Sequence, residues 1–249
     1  MTDFDALRDR ALAFREDLLA RKEKIAPAEF EWYPYDTMAN VFHLDRLLSG
    51  ENRSVFGSLA GSRIADIGAA DGDFGFFLEQ DLGCRVDVID NAPTNFNGLR
   101  GARRLVEELS SSVRVHEIDL DSQFELPAER YGAVFFLGLL YHLKNPFYVL
   151  EALAKRADRC FLSTRVARQA PDGTPLREQP VAYLLDSAEA NDDATNFWIF
   201  SEAGLKRLFD RTGWEVVEFV TVGCQEGSEP GRADRDERAF ALLRSRTAA

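Results

Sequence analysis

A short apolar run that ends in a small-residue loop sets the tightest limit on this chain. Ile64-Ala65-Asp66-Ile67 reads as a buried strand, Gly68-Ala69-Ala70-Asp71-Gly72 follows without a break, and a helical pattern begins near Phe74. Small side chains at 68, 69, 70 and 72 let the backbone turn sharply and approach a ligand closely. The helix that follows presents free backbone N–H groups at its start. A plain tight turn explains such a loop equally well, so its neighbours must decide.

From residue 63 onward, strand and helix patterns alternate. Strands are expected at 64–67, 85–89, 113–118, 133–137, 160–164, 214–222 and 238–243, with helices at 74–82, 97–109, 146–156 and 201–212. That order predicts an α/β fold of Rossmann-like type: a mostly parallel seven-stranded sheet with helices on both faces. The run 133–137 is apolar throughout, as expected of a parallel strand covered on both sides. The last strand is reached through a polar turn region, 223–236, with no helical crossover, so it should lie antiparallel to its predecessor. Ahead of the sheet, a helix over 3–24 ended by Pro27, the aromatic stretch 30–35 and a second helix over 37–48 form an N-terminal helical extension, residues 1–60, placed to act as a lid. The expected domains are this extension and a sheet domain over 61–249, with a polar insert at about 165–200 of a length that is uncommon unless functional.

The formal net charge is −12. An acidic chain repels phosphate backbones, which disfavours non-specific nucleic-acid binding. Arg100, Arg103 and Arg104 form a compact basic cluster and read as a solvated helix face. Cys84, Cys160 and Cys224 are far apart and in no metal-ligand spacing, so no metal site or disulfide framework is expected. The longest apolar run, 133–141, is about half of what spans a bilayer. With no signal-type apolar segment near the N-terminus, a cytoplasmic location is expected.

Parallel sheets bind ligands beyond the carboxy ends of their strands. The second strand ends in Asp90, 24 residues after Asp66. A carboxylate there can accept both hydroxyls of a ribose, although Asp90 also reads as a turn or capping aspartate, and Asp87 is a rival within the strand. The third strand is followed by Asp119-Leu120-Asp121. A carboxylate at 119 can accept from the exocyclic amine of adenine, with Leu120 against the ring. Acidic positions at or after three successive strands make a constellation that a lone turn would not.

Asp66-x-Gly68-x-Ala70-x-Gly72, then Asp90, then Asp119, resembles the pattern of class I S-adenosylmethionine (SAM)-dependent methyltransferases over residues 60–245 or so. The resemblance implies SAM as cofactor. The loop with Asp66, Gly68, Ala69, Ala70 and Gly72 would meet its methionine part, Asp90 and the adjoining Asn91 its ribose, and Asp119 and Leu120 its adenine. Ala70 stands where the family has its middle glycine, which requires a negative φ there. The segment 137–146, Leu137-Gly138-Leu139-Leu140-Tyr141-His142-Leu143-Lys144-Asn145-Pro146, and 196–201, Asn196-Phe197-Trp198-Ile199-Phe200-Ser201, are similar to the tRNA wobble-uridine carboxymethyltransferase branch and its relatives. That likeness implies that Leu137, with Gly138 after it, and Tyr141 approach the sulfonium end of the cofactor. Carboxymethylating members use basic residues ahead of the first strand. The stretch Glu29 to Tyr35 holds none, so ordinary methyl transfer is expected.

His142 is the candidate general base, since an unperturbed histidine titrates near neutrality; a histidine bonded at a helix start is the competing reading. Tyr141 reads as a cofactor contact or as core. His43 and His116 read as structural. Trp32, Tyr33, Tyr35, Arg165, Asn196 and Trp198 are candidates for the acceptor pocket, on segments where a lid would lie; packing is the alternative for each aromatic ring. The expected activity is methyl transfer to oxygen or nitrogen of a small-molecule acceptor. The alternatives are a tRNA-modifying methyltransferase, which the charge disfavours, and a non-catalytic cofactor-binding module. A nicotinamide dehydrogenase is disfavoured because the glycines at 68, 72 and 75 lack the Gly-x-Gly-x-x-Gly spacing.

Overall fold

The computed structural model describes residues 4–25 and 30–247, so Met1–Asp3, Pro27 and Glu29 lie outside the described residues. The chain divides into two compact units, Met1–Phe135 and Phe136–Ala249. The boundary expected near residue 60 is not a break in packing, because the helical extension belongs to the first unit.

In that unit α1 (Phe4–Lys24) buries Leu7, Ala11, Phe14 and Leu18. These are spaced four, three and four residues apart, one stripe of a 3.6-residue helix. Lys22 continues the stripe and is itself buried. After α2 (Asn40–Leu47) come the strands β1 (Arg63–Ile67), β2 (Arg85–Asp90) and β3 (Arg114–Glu117), with α3 (Asp73–Leu82) and α4 (Arg100–Glu108) between them. They pair in parallel in the order β3-β2-β1, and the first three residues of β4 (Ala133–Leu137) pair in parallel on the other side of β1. Ile64, Ala65, Val88, Ile89, Ala133 and Val134 are inaccessible to solvent, as a sheet covered on both faces requires. Phe74, Phe76 and Phe77 of α3 are buried, Phe77 against Phe14 at 5.7 Å and Phe74 against Phe135 at 5.1 Å. Burial of each such ring contributes about 1.5–3 kcal/mol. Packing therefore fixes where α3 begins, and with it the end of the glycine loop.

The second unit opens with the last residues of β4 and continues through α5 (Pro146–Ala154), β5 (Arg159–Val166), α7 (Glu202–Arg211), β8 (Trp214–Gly223) and β9 (Glu237–Ser245). Pro146 starts α5, capped by Asn145, and the Ser201 hydroxyl caps α7 by accepting from Gly204 N–H at 2.9 Å. β9 is antiparallel to β5 and to β8, as expected of a strand reached without a crossover. The expected insert is not bare loop. It supplies β6 (Ala182–Leu184), β7 (Trp198–Phe200) and a four-residue helix, α6 (Glu189–Asp192). The described residues thus hold nine strands where seven were expected. The two additions are three residues each, too short for a two-residue period to show. No helix among the described residues is long and apolar enough to cross a membrane.

Candidate functional site

The loop between β1 and α3 carries three left-handed residues, Gly68 (φ 70°), Ala70 (φ 56°) and Gly72 (φ 82°). Two glycines take this conformation freely. Ala70 does not: its φ is positive where a negative value was expected, at a cost of about 1–2 kcal/mol. The reason lies in its bonds. Ala70 N–H donates to Asp90 Oδ2 at 3.0 Å, and its carbonyl accepts from Asn95 Nδ2 at 3.2 Å. A helical φ at 70 would turn both groups away from these partners.

Asp90, expected from the sequence to accept ribose hydroxyls, also accepts three bonds from within the chain. Its Oδ2 accepts from Ala70 N–H and Asn95 Nδ2, and its Oδ1 accepts from Asn91 N–H at 2.8 Å. A carboxylate offers about four acceptor positions, so one remains, on Oδ1. Burial raises the Asp90 pKa against these three donors. Asn91 contributes its backbone, while its side chain closes a turn on Thr94. Asp119 is exposed, its Oδ1 accepting from Asp121 N–H at 2.9 Å, and Leu120 beside it is buried. Asp66 is buried and accepts from Gly75 N–H at 3.0 Å, and so sits at the positive end of α3.

Asp71, at 2% exposure, ties three separate segments to the loop. Its Oδ1 accepts from Asn97 Nδ2 at 2.7 Å, and its Oδ2 accepts from Tyr33 N–H at 2.9 Å and Lys22 Nζ at 3.3 Å. Lys22 also binds Asp73 at 2.7 Å. Gly101 of α4 lies so close that a Cβ there would stand 2.1 Å from Asp71 Oδ1, so only glycine fits. Trp32 donates its indole N–H to the Lys22 carbonyl at 3.2 Å and stacks under the ammonium at 5.0 Å. It braces the lysine. Tyr33 reaches the loop through its backbone, and Tyr35 is largely exposed, with its ring against Tyr33. Lys22, Asp71, Asn95 and Asn97 were not singled out from the sequence. A lysine on the apolar stripe of α1 was the one available sign of the first.

In the second unit, Gly138 (φ 80°) follows Leu137 and donates its N–H to the Ser163 carbonyl at 3.0 Å. A Cβ on Gly138 would lie 3.9 Å from both Tyr141 Oη and Arg238 Nη1. Tyr141 is buried in a cluster with Ala167, Leu185, Ala190 and Ile199, while its hydroxyl lies 3.4 Å from Arg238 Nη1. The ring of Tyr141 is thus core, with its hydroxyl turned to Arg238. The His142 ring packs on Tyr141, and its Nδ1 lies 3.1 Å from the Thr195 carbonyl. Thr195 Oγ1, 3.0 Å from the same nitrogen, donates to Asp193, and a carbonyl only accepts, so Nδ1 carries the proton and Nε2 is the basic nitrogen. Burial pushes the His142 pKa down, keeping the ring neutral near pH 7. Arg165 and Asn196 are buried and Trp198 is half-buried. Arg165 Nη1, Asn196 Oδ1 and Trp198 Nε1 are buried atoms with no hydrogen-bond partner among the described residues. Asp236, which the sequence did not mark, bonds both Arg165 and Arg238.

The chain belongs to the family described as a methyltransferase domain, whose model matches residues 10–219. No protein of curated function matches the sequence. Among solved structures, the N-terminal domain of EvdMO1, crystallised with SAH and D-fucose, is 17% identical with a TM-score of 0.60, over 93% of this chain and 97% of that one. The same domain with SAH alone gives 18% and 0.59 over the same shares. The [4+2]-cyclase SpnF is 14% identical with a TM-score of 0.59, over 96% of each chain. At these identities the likeness is one of fold, and the cyclase shows that the fold hosts more than one chemistry.

Burial pushes Asp66 up to about 7 from 3.8, helped by the nearby charges of Asp90 and Asp73 and opposed by the Gly75 bond. Over that window the native state holds a proton that the unfolded chain has lost, so this group makes stability fall as pH rises through it. Asp66→Asn keeps an acceptor for Gly75 without the charge. The urea midpoint of the variant should therefore fall less between about pH 4 and pH 7 than that of the parent. Equal slopes would contradict the assignment.

Proposed function

We propose that the protein transfers the methyl group of SAM to an oxygen or nitrogen atom of a small-molecule acceptor. The observation that carries the cofactor half is the donor set of the first unit. Asp66, Asp71, Asp73 and Asp90 crowd one loop, and their mutual repulsion contributes to raising the pKa of three of them. Lys22 is the cation that meets two of the four. A ligand bearing a sulfonium and an ammonium, with hydroxyls to donate, fits such a site. The Gly68–Gly72 backbone would hold the methionine part, the remaining acceptor position of Asp90 a ribose hydroxyl, and Leu120 with Asp119 the adenine. When bound, SAM supplies an electrophilic methyl group for in-line displacement.

The chain's own residues then have to position the acceptor and take its proton. His142 Nε2 is suited to receive that proton, because the ring is neutral and its own proton is fixed on Nδ1 by the Thr195 carbonyl. Tyr141 orients that ring by packing on it. The tRNA reading rests on the likeness of 137–146 and 196–201 and is opposed by the net charge of −12. A carboxylated cofactor would gain nothing from Lys22, which Asp71 and Asp73 already hold.

Calorimetric titration should show micromolar binding of SAM and of its demethylated product, S-adenosylhomocysteine (SAH). Asp90→Ala should weaken it tenfold or more, since it removes a ribose acceptor and the clamp on Ala70. An unchanged affinity would refute the assignment. With an acceptor isolated from a metabolite pool, His142→Ala should lower kcat at pH 7.5 by about 10²–10³-fold with KM for SAM unchanged. The parent's kcat should fall on the acid side with an apparent pKa below 6.5. A variant with full kcat would mean that alignment alone suffices.

A further inference from the structure

We propose that the acceptor carries a carboxylate and that Arg165 and Arg238 hold it; this rests on the methyl-transfer reading above and narrows its substrate class. The antiparallel register of β5 and β9 places Arg165 directly opposite Arg238, so both side chains leave the same face of the strand pair. Asp236 lies between them, with Oδ1 on Arg165 Nε and Oδ2 on Arg238 Nε, the latter at 3.2 Å. Two guanidinium groups thus share one carboxylate, and the group is left with one positive charge.

The other carboxylates of the segment 229–237 are held by other arginines. Glu237 is held by Arg168 at 2.7 Å and by Ser228, Glu229 is held by Arg235, and Asp234 by Arg232. Arg165 is 5% exposed, and its Nη1 has no partner among the described residues. A buried, charged donor without an acceptor is strongly unfavourable in a folded chain and points to a ligand atom that completes it.

The place is right for a ligand. Gly138 N–H bonded to Ser163 O sets the end of β4 beside β5, and Arg238 Nη1 lies next to Gly138 and Tyr141 Oη. The carboxy ends of parallel strands are where such sheets receive ligands. Guanidinium forks match carboxylate geometry. A monoanion balances the surplus charge of one, whereas a phosphate dianion would overshoot it. Methyl transfer needs an oxygen or nitrogen to receive it, so the acceptor expected is a hydroxy- or amino-substituted carboxylic acid.

The test is a titration of the intact, SAH-loaded protein with benzoate, benzamide and phenylphosphate, followed by saturation-transfer NMR. Benzoate should bind at least tenfold more tightly than either of the others. Arg165→Met and Arg238→Met should each reduce benzoate binding tenfold or more, and Arg165→Lys should recover part of it. SAH affinity, measured on the same samples, reads the cofactor site separately. Loss of SAH binding by the parent would sink the methyltransferase reading, whereas intact SAH binding with equal benzoate and benzamide affinities would sink only the carboxylate clamp. A preference for phenylphosphate would also overturn it. The comparison of the three probes on the parent protein stands even where a variant fails to fold.

Discussion

The first unit hangs on one buried carboxylate. Asp71 accepts from a lysine on α1, from the backbone of the aromatic stretch and from Asn97 just ahead of α4. Each of those segments is far away in sequence, and each is placed relative to the glycine loop through this side chain. A buried carboxylate left without its partners is costly, so the loop, the extension and the start of α4 are stable only together. The 2.1 Å approach at Gly101 shows how little room the arrangement leaves.

Around that point the loop is shaped by acceptor geometry and not by glycine content. Ala70 is held left-handed by Asp90 and Asn95, and Asp66 caps the opening turn of α3 through Gly75. The same carboxylates that build the loop make it electronegative. Under the proposed function a cofactor with two positive centres would answer that field, and the residues that build the loop would also bind it.

Much of this was legible in the chain itself. The strand at 133–137, the antiparallel final strand and the glycine loop all follow from local patterns, because apolar runs, missing crossovers and small residues leave marks within a few positions. What escaped was long-range. The pairing of Lys22 with Asp71 and Asp73 spans about fifty residues, and its one trace was a lysine on the buried stripe Leu7-Ala11-Phe14-Leu18. The sign of φ at Ala70 depended on bonds to Asp90 and Asn95, which no local rule contains. The strands at 182–184 and 198–200 were too short to show a period. Arg238 and Asp236 acquire meaning only once β9 is laid beside β5.

If Asp71 and Lys22 together set the cofactor loop, their effects on SAM affinity must not add. A double-mutant cycle with Lys22→Met and Asp71→Asn, read by calorimetric titration of SAM, measures this directly. Each single change should weaken binding about tenfold, and the double variant should bind no worse than the weaker single. Additive losses, or a Lys22→Met protein that binds SAM as the parent does, would contradict the account.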